Sequence, residues 1–323
     1  MTSQMVSKKW LVTGASQGLG LAMALSALKA GHKVLAGARN PEKAAAEHPE
    51  LETAGGKWLK LDVSSLDTQQ VVSQAIEAFG GIDVVVNNAG YFQSGTIEDL
   101  TYVSAASPKL GQVLICSTRE EEMQAAISTQ YLGPIRVLKG ALPTLRTQNA
   151  GTIVLNSGIF GLYPCPAGAL YNSSKAAIDM VYETLKLELA PFNIRTITIN
   201  AGLQRTGILT NGPMPKNGIG QHYLEKTPVG AMLGIVGGIA QDPGQMPGDP
   251  TKFGDRVVEI VDGTGYGKGL EKVARFIFGR DGLQLAAKKL EVLGEEVKAS
   301  QKIALSIDVD GCSAPGVAGV AEF

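Results

Sequence analysis

The stretch that most restricts the fold lies near the start of the chain, where a short apolar run meets a glycine-rich turn. Lys9 to Thr13 is apolar enough for a buried strand, and Gly14-Ala15-Ser16-Gln17-Gly18-Leu19-Gly20 follows it directly. Leu21 to Ala30 then has the pattern of a helix that ends at Gly31. This order lets the backbone approach a pyrophosphate and offers it the free N–H groups of a helix N-terminus. A glycine turn alone is weak evidence, but its flanking strand and helix predict a nucleotide site.

The rest of the chain repeats this alternation of strand and helix. Further strands are predicted at Lys33 to Ala38, Lys57 to Leu61, Asp83 to Val86, Thr152 to Leu155, Ile194 to Ile199 and Ala274 to Phe278. Helices are predicted at Asp67 to Phe79, in a long segment closed by Ala141 to Leu145, at Ser173 to Leu189, from the cap Asp249-Pro250 to Asp262, and at Gly282 to Lys298. This alternation predicts an α/β fold, a Rossmann-like doubly wound parallel sheet with helices on both faces.

The chain shows no internal repeat and no linker, so we expect a single domain. Residues 6–212 are predicted to form its nucleotide-binding core, and residues 213–323 a C-terminal lid and extension of the same domain. Asn211 to Gly248 is rich in glycine and proline, which is typical of a mobile lid over an apolar substrate or of an inert surface loop. With 44% hydrophobic residues, the chain can bury a large core.

Charge and composition exclude several classes of partner. The formal net charge is −1 without a basic run, so we expect a small-molecule substrate and neither a nucleic acid nor a membrane as partner. The 3 cysteines and 3 histidines lack metal-ligand spacing, which predicts a metal-free protein. Met1 to Trp10 lacks the apolar core of a signal peptide, and Val229 to Ala240 is too short to span a bilayer, so a cytoplasmic location is expected.

Polar residues collect after the predicted strands. Arg39 follows the second strand, Asp62-Val63 the third, and Asn87-Asn88-Ala89-Gly90 the fourth. Ligands of a doubly wound sheet bind beyond the carboxyl ends of its strands, where a cation can meet a ribose 2′-phosphate and a carboxylate a 2′-hydroxyl. Arg39 therefore predicts NADP as cofactor, with NAD as the alternative if Arg39 is only a solvated surface residue.

A tyrosine and a lysine lie one helical turn apart in Tyr171-Asn172-Ser173-Ser174-Lys175. An ammonium beside a phenol favours the phenolate, so Lys175 is expected to lower the pKa of Tyr171 and allow proton exchange near neutral pH. By itself the pair also fits an ordinary amphipathic helix. The helix continues with an apolar face, and residues 173–190 are expected to pack against the sheet or against a second subunit of a homo-oligomer.

Together these motifs resemble the short-chain dehydrogenase/reductase superfamily, in its form with a C-terminal extension. The resemblance runs from the first glycine turn to Thr206, roughly two thirds of the chain. Its motifs are Thr13-Gly14-x-x-x-Gly18-x-Gly20, Asp62-Val63, Asn87-Asn88-Ala89-Gly90, the Ser157 region, Tyr171-x-x-x-Lys175, and Gly202 with Thr206. It implies a Rossmann fold and reversible hydride transfer between a nicotinamide and a carbonyl or alcohol, which we expect to belong to an apolar metabolite.

The resemblance also implies residue roles. Tyr171 would protonate the carbonyl oxygen, Lys175 would depress the pKa of Tyr171 and bind the nicotinamide ribose, and a serine would polarise the carbonyl. Asp62 would hold the adenine, Asn88 the cofactor and Thr206 the carboxamide. The other cofactor-binding candidates are Gly14, Ser16, Gln17, Gly18, Leu19, Gly20, Val63, Ala89, Gly90 and Gly202.

The chain departs from the family pattern at two catalytic positions. The serine slot, three residues before Gly161, holds Gly158, and Ser157 stands one residue early. The fourth catalytic position of the family, an asparagine three residues before a helix glycine, holds Gln130, whose amide is one methylene longer. These departures support an alternative function, in which the chain is a catalytically impaired NADP-binding protein that acts as a binding or regulatory module.

An insertion without counterpart in the family pattern runs from Val103 to Arg119. Without it, Thr101-Tyr102 and Glu120-Glu121 would form a Thr-x-x-Glu capping box that opens the helix carrying Gln130. Val-Ser can be encoded by a GTAAGT donor, and Thr-Arg can contain a CAG acceptor, so one hypothesis is a retained intron. A genuine loop insertion is the alternative, and Thr118-Arg119-Glu120-Glu121 would provide its own capping box.

The intron hypothesis predicts the peptide map of the natively produced protein. A tryptic peptide that joins Tyr102 to Glu120 should be found by mass spectrometry, because the intervening codons would be absent from the mature message. A peptide from within residues 103–119 would instead show that the insertion is translated.

Overall fold

A seven-stranded parallel sheet forms the centre of the molecule in the computed structural model, which describes residues 6–100, 120–215 and 218–308. The strands are β1 Lys9–Thr13, β2 Lys33–Ala38, β3 Lys57–Lys60, β4 Val84–Asn87, β5 Gly151–Gly158, β6 Ile194–Ala201 and β7 Arg275–Phe278. Their order across the sheet is β3-β2-β1-β4-β5-β6-β7. The chain thus reverses direction across the sheet between β1 and β4, and the crevice beyond the carboxyl ends of these two strands is where such folds bind ligands.

Helices connect the strands on both faces of the sheet. They are α1 Gly18–Lys29, α2 Pro41–Glu47, α3 Pro49–Thr53, α4 Thr68–Phe79, α5 Ile97–Leu100, α6 Glu120–Ile127, α7 Gly133–Gln148, α8 Ala169–Leu189, α9 Pro228–Gln241, α10 Pro250–Asp262 and α11 Arg280–Leu305. A π-helical turn, Ser128–Leu132, joins α6 to α7. The predicted fold class and the predicted strands are confirmed, with strand ends that differ by up to three residues.

Two apolar layers enclose the sheet because its side chains alternate between the two faces. On one face, residues such as Trp10 and Val12 pack with Met23 of α1 and Phe253 of α10. On the other face, residues of the same strands pack with α4, α7 and α8, in a cluster that includes Leu11, Val85, Ile153, Val72, Val137 and Ile178. The central strands are therefore buried on both sides, which explains their continuous apolar sequences.

The predicted packing of the helix that carries Lys175 is partly settled. In α8, Ile178, Tyr182 and Leu189 are buried against the sheet, while Met180 and Leu187 are exposed on the side facing away. The sheet is thus confirmed as one surface against which this helix packs. A second subunit on its outer side stays a prediction.

The segment predicted as a mobile lid or an inert surface loop, Asn211 to Gly248, contains the helix α9, which was not predicted. α9 carries four glycines, which favoured a loop, but Pro228 stands at its first position and the Thr227 side chain accepts a hydrogen bond from the Gly230 N–H. Met232 and Ile239 pack in an apolar cluster with Phe92, Cys165 and Tyr171. Tertiary packing therefore outweighs the low helix propensity of glycine.

Two further expectations concern the chain beyond these elements. α11 is longer than predicted at both ends, since it runs from Arg280 to Leu305. The insertion from Val103 to Arg119 lies outside the described residues, as do Thr101 and Tyr102 of the capping box proposed across it. Within the described ranges, no helix has the length and apolar character needed to cross a bilayer.

The predicted cap of α10 is confirmed and allows a stability test. Asp249 Oδ1 accepts hydrogen bonds from the backbone N–H groups of Thr251 at 2.8 Å and Lys252 at 3.2 Å. Asp249→Ala leaves both groups without this partner and should lower the free energy of unfolding by about 1 kcal/mol in urea denaturation. Asp67→Ala is the matched control, because Asp67 precedes α4 without making a capping bond and its loss should cost less than about 0.5 kcal/mol. Equal losses for both variants would contradict the assignment.

Candidate active site

The glycine turn after β1 packs directly on the chain that follows β4. A Cβ on Gly20 would lie 2.3 Å from the Gly14 carbonyl oxygen and 2.4 Å from Asn88 Nδ2, so no side chain fits there. Gly14 has a φ of +64°, and a Cβ on it would lie 2.8 Å from the Cα of Ala89. Gly20 is therefore required because no side chain fits there. Gly14 is required both for lack of space and for its left-handed backbone conformation. The close contact places the N-terminus of α1 beside the carboxyl ends of β1 and β4.

The side chain of Asn88 ties three strand ends together. Its Nδ2 donates to the carbonyl oxygens of Thr13 at 2.9 Å and Gly14 at 3.1 Å, and its Oδ1 accepts from Asn156 Nδ2 at 2.8 Å. Thr13 Oγ1 in turn accepts from the backbone N–H groups of Asn88 and Ala89. The amide of Asn88 is thus engaged within the protein and positions the turn. The sequence motifs assign no role to Thr13 or Asn156.

A cavity of about 440 Å³ opens along these strand ends. Most of the residues proposed from sequence line it, namely Gly14, Ser16, Gln17, Gly18, Leu19, Arg39, Asp62, Val63, Asn88, Ala89, Gly90, Ser157, Tyr171, Lys175, Gly202 and Thr206. Gly20 lies beneath the turn, and Gln130 does not line the cavity. The structure therefore brings together residues from seven separate stretches of sequence around one elongated space.

Arg39 and Asp62 stand at one part of this cavity, after β2 and β3. Both are exposed, and the Arg39 guanidinium has no hydrogen bond or ion pair with another residue that the structure describes. Asp62 Oδ1 accepts hydrogen bonds from the Ser64 N–H at 2.9 Å and from Ser64 Oγ at 2.6 Å. The Arg39 guanidinium and the second carboxylate oxygen of Asp62 are thus available to a ligand.

Tyr171 and Lys175 lie on the first turns of α8, and both side chains are buried. Lys175 Nζ is 5.7 Å from the centre of the Tyr171 ring and donates to the carbonyl oxygen of Asn156 at 3.2 Å. Burial lowers the pKa of Lys175 to about 8, against the opposing effect of the Asp179 carboxylate. Lys175 is therefore still largely protonated at pH 7.

Burial raises the pKa of Tyr171 well above its ordinary value, and the nearby Asp179 and Cys165 add to this effect. The expectation that Lys175 would lower the pKa of Tyr171 is wrong for the protein as described, because burial raises this pKa and the Lys175 ammonium does not offset the rise. The phenol is consequently neutral at pH 7. It can donate a proton to a ligand oxygen without first having to bind one.

Gly158, rather than Ser157, faces the Tyr171 hydroxyl. A Cβ on Gly158 would lie 2.8 Å from the phenol oxygen. Side chains alternate along β5, so the side chain of Ser157 points away from this contact, and its buried Oγ has no hydrogen-bond partner among the described residues. The structure therefore places no serine hydroxyl against the phenol.

Gln130 is buried in the π-helical turn, and both polar atoms of its amide lack hydrogen-bond partners within the described chain. Gln130 Oε1 and Lys175 Nζ each lie 3.7 Å from the position of a Cβ on Gly90. The amide and the ammonium thus converge on the same small region behind Gly90. A buried amide without partners is costly, so this region is suited to a water molecule or a polar ligand atom.

Apolar side chains cover the part of the cavity beside Tyr171. They are Phe92, Phe160, Leu203 and Leu209. The rings of Phe92 and Tyr171 are 4.9 Å apart, and Ile239 of α9 belongs to the same apolar cluster. This end of the cavity is suited to an apolar ligand that presents one oxygen to the phenol.

A polar network behind the site was not found from sequence. Asp179, one turn after Lys175, accepts hydrogen bonds from Asn200 Nδ2 at 2.8 Å and from Arg275 at 3.0 Å. Asn200 Nδ2 also donates to the carbonyl oxygen of Gly158 at 3.2 Å. The network joins α8 to the ends of β5, β6 and β7, and only the order of the strands could have shown that these residues meet.

Comparison with known proteins identifies similar chains. The family described as short chain dehydrogenase matches residues 8–213. The chain is 41% identical to oxidoreductase claN of Passalora fulva over 211 residues, which are 65% of this chain and 88% of that protein. It is 31% identical to the uncharacterized oxidoreductase YusZ of Bacillus subtilis over 261 residues, 78% of this chain and 83% of that protein.

A solved structure with a similar fold is the short-chain dehydrogenase from Streptomyces avermitilis. Its sequence is 27% identical, the TM-score is 0.75, and the match covers 94% of this chain and 100% of that one. The likeness therefore includes the C-terminal part of the chain as well as the residues of the family match.

Proposed function

Because this chain belongs to the short-chain dehydrogenase/reductase family of NAD(P)-dependent oxidoreductases, we propose that it transfers hydride between NADP(H) and a carbonyl or alcohol group of an apolar small molecule. The observation that carries the proposal is the buried, neutral phenol of Tyr171, which lies in the same cavity as the glycine turn. Such a phenol supplies the proton that must accompany hydride addition to a carbonyl.

The residues present fit a dinucleotide. The glycines leave room for close approach of a pyrophosphate, and the N-terminus of α1 offers it free N–H groups. Arg39 would hold the 2′-phosphate and Asp62 the adenine, while Lys175 would bind the ribose beside the nicotinamide and Thr206 the carboxamide. The residues around Asn88 form the floor of the site. When bound, the nicotinamide supplies or accepts the hydride.

In the direction of reduction, Tyr171 donates its proton as negative charge develops on the substrate oxygen. The resulting phenolate is buried, so it needs a nearby positive charge, which the Lys175 ammonium provides. The unpartnered amide of Gln130 would hold a water molecule close to Lys175 and so connect the ammonium to a proton source. The longer glutamine side chain keeps the polar atoms that an asparagine would offer.

The lack of a side chain at position 158 affects how a substrate carbonyl is bound. Because position 158 has no side chain, no hydroxyl from it polarises the carbonyl, and Tyr171 is the donor that the geometry offers. The same absence lets the Tyr171 hydroxyl approach the backbone of β5, and the adjoining wall of the cavity is apolar. We infer an apolar ketone or aldehyde, or the corresponding alcohol, as substrate. The same glycine supports the second candidate function, that of an NADP-binding module with impaired catalysis.

Replacement of the phenol hydroxyl tests the assignment of Tyr171. Tyr171→Phe should lower kcat at least about a hundredfold and leave the affinity for NADPH nearly unchanged, because the proton is needed only in the transition state. The measurement is NADPH oxidation with a panel of apolar ketones and aldehydes. Ser157→Ala is the matched control and should retain the wild-type rate, since its hydroxyl points away from the phenol.

A Tyr171→Phe variant with more than about a tenth of the wild-type kcat/KM would exclude Tyr171 as the proton donor. NADPH binding by the wild-type protein without turnover of any compound in the panel would favour the binding-module function.

Charge reversal at Arg39 tests the choice of cofactor. The wild-type protein should prefer NADPH to NADH in kcat/KM, and Arg39→Asp should reverse this preference, because a carboxylate repels the 2′-phosphate and can bind a 2′-hydroxyl. Lys43→Asp makes the same charge change nearby but outside the cavity and should leave the preference in place. An unaltered ratio of the two kcat/KM values in Arg39→Asp would show that Arg39 does not contact the 2′-phosphate.

A further inference from the structure

The C-terminal helix α11 is poorly covered by the rest of the chain. It has 26 residues, of which only Gly282 is buried. Leu285, Ala286, Lys289 and Val292 are half-buried on the side near β7 and the turn Ile159–Gly161. From Leu293 to the end of the described chain at residue 308, every residue is exposed. The second half of α11 therefore extends from the body of the protein without support.

An unsupported helix of this length is marginal in water, since isolated helices shorter than about 12–15 residues are rarely stable. α11 also carries a stripe of apolar residues at alternating spacings of three and four, formed by Leu283, Ala286, Leu290, Leu293 and Val297. Leu290 is 71% exposed and Val297 61% exposed. Such a stripe is the pattern of a helix that pairs with another helix along a narrow seam.

We propose that α11 pairs in antiparallel orientation with α11 of a second copy of this chain. In this arrangement Leu290 packs against Leu293 of the partner subunit, and Ala286 against Val297 of the partner subunit. The unsupported second half of each α11 then lies along the first half of the other α11, which is attached to the body of its own subunit. Both the exposed leucines near the body and the extended second half would be covered by one contact.

The charges beside the stripe complement each other in this orientation. When Leu290 faces Leu293 of the partner subunit, Lys289 lies opposite Glu296 of the partner subunit, and symmetry repeats the pair. In the described chain neither Lys289 nor Glu296 has an ion-pair partner, whereas Lys288 is paired with Glu291. The small residues Ala287 and Gly294 flank the opposite side of the seam. A parallel pair would place Lys289 opposite Gly294 instead.

A membrane surface is a poorer occupant for this stripe. Helices that bind anionic membranes are rich in lysine and arginine on their polar face. The polar residues of α11 instead mix Lys288, Lys298 and Lys302 with Glu291 and Glu295. This contact is also distinct from the outer face of α8 with Met180 and Leu187, and it does not depend on the proposed reaction.

Sedimentation velocity of the full chain over a range of concentrations tests the pairing. The wild-type protein should form a reversible dimer. Leu290→Lys with Leu293→Lys should raise the dimer Kd at least about a hundredfold, because both leucines lose their burial twice in each dimer. Leu305→Lys is the control on the same helix. In the proposed register Leu305 lies beyond the end of the paired segment and faces no residue of α11 of the partner subunit, so this change should leave the Kd unchanged.

Charge exchange separates this geometry from a loss of folding. Lys289→Glu alone should raise the Kd about tenfold, because two attractive pairs become repulsive. Lys289→Glu combined with Glu296→Lys should restore the Kd to within about threefold of the wild-type value. Far-UV circular dichroism of each variant confirms that the fold is kept.

Several outcomes would overturn the proposal. These are a monomer at all concentrations, a dimer insensitive to the leucine pair, and a charge exchange that fails to restore the dimer. A dimer that is abolished by Met180→Lys with Leu187→Lys, but not by the α11 variants, would also overturn it. The same holds if wild-type protein cosediments with phosphatidylserine vesicles and the variant Leu290→Lys with Leu293→Lys does not.

Discussion

The close backbone contact between the glycine turn and the residues after β4 determines the geometry of the whole site. Three parallel strands end together there, and their terminal carbonyl groups cannot be satisfied by a further strand. The half-buried amide of Asn88 donates to the carbonyl oxygens of Thr13 and Gly14 and accepts from Asn156, so it links the ends of β1, β4 and β5. A buried polar group without a partner costs about 1–3 kcal/mol, which makes this arrangement strongly preferred over a looser one. The side chains that line the cavity are positioned from these strand ends.

Burial then decides the protonation of the two central groups. Tyr171 and Lys175 are both removed from water, and burial disfavours the charged form of each, so the pKa of the phenol rises and that of the ammonium falls. Proximity to the Lys175 ammonium alone would have lowered the pKa of the Tyr171 phenol. A neutral phenol beside an ammonium is matched to proton donation, because the positive charge becomes most useful once the phenolate has formed.

Sequence predicted the fold better than the chemistry of the site. Buried central strands such as β4 are short apolar runs bounded by turn residues, which a local reading can find. α9 was missed because its helical state depends on the packing of Met232 and Ile239, which local propensity does not include. The sign of the Tyr171 shift depends on burial, and the relation of Gly158 to the phenol depends on the direction of a strand residue. Both quantities exist only in three dimensions.

The two departures from the family pattern lie on the same catalytic pair. Gly158 removes a hydroxyl from the side of the Tyr171 oxygen, while Gln130 brings a longer amide towards Lys175. In the proposed reaction, the first change leaves the phenol as the donor to the substrate oxygen, so transition-state stabilisation depends more on how readily that phenol gives up its proton. The second change acts on the group that stabilises the phenolate. The two changes therefore bear on a single proton transfer, and the effect of either on the rate should depend on the other, as expected for residues that share one network.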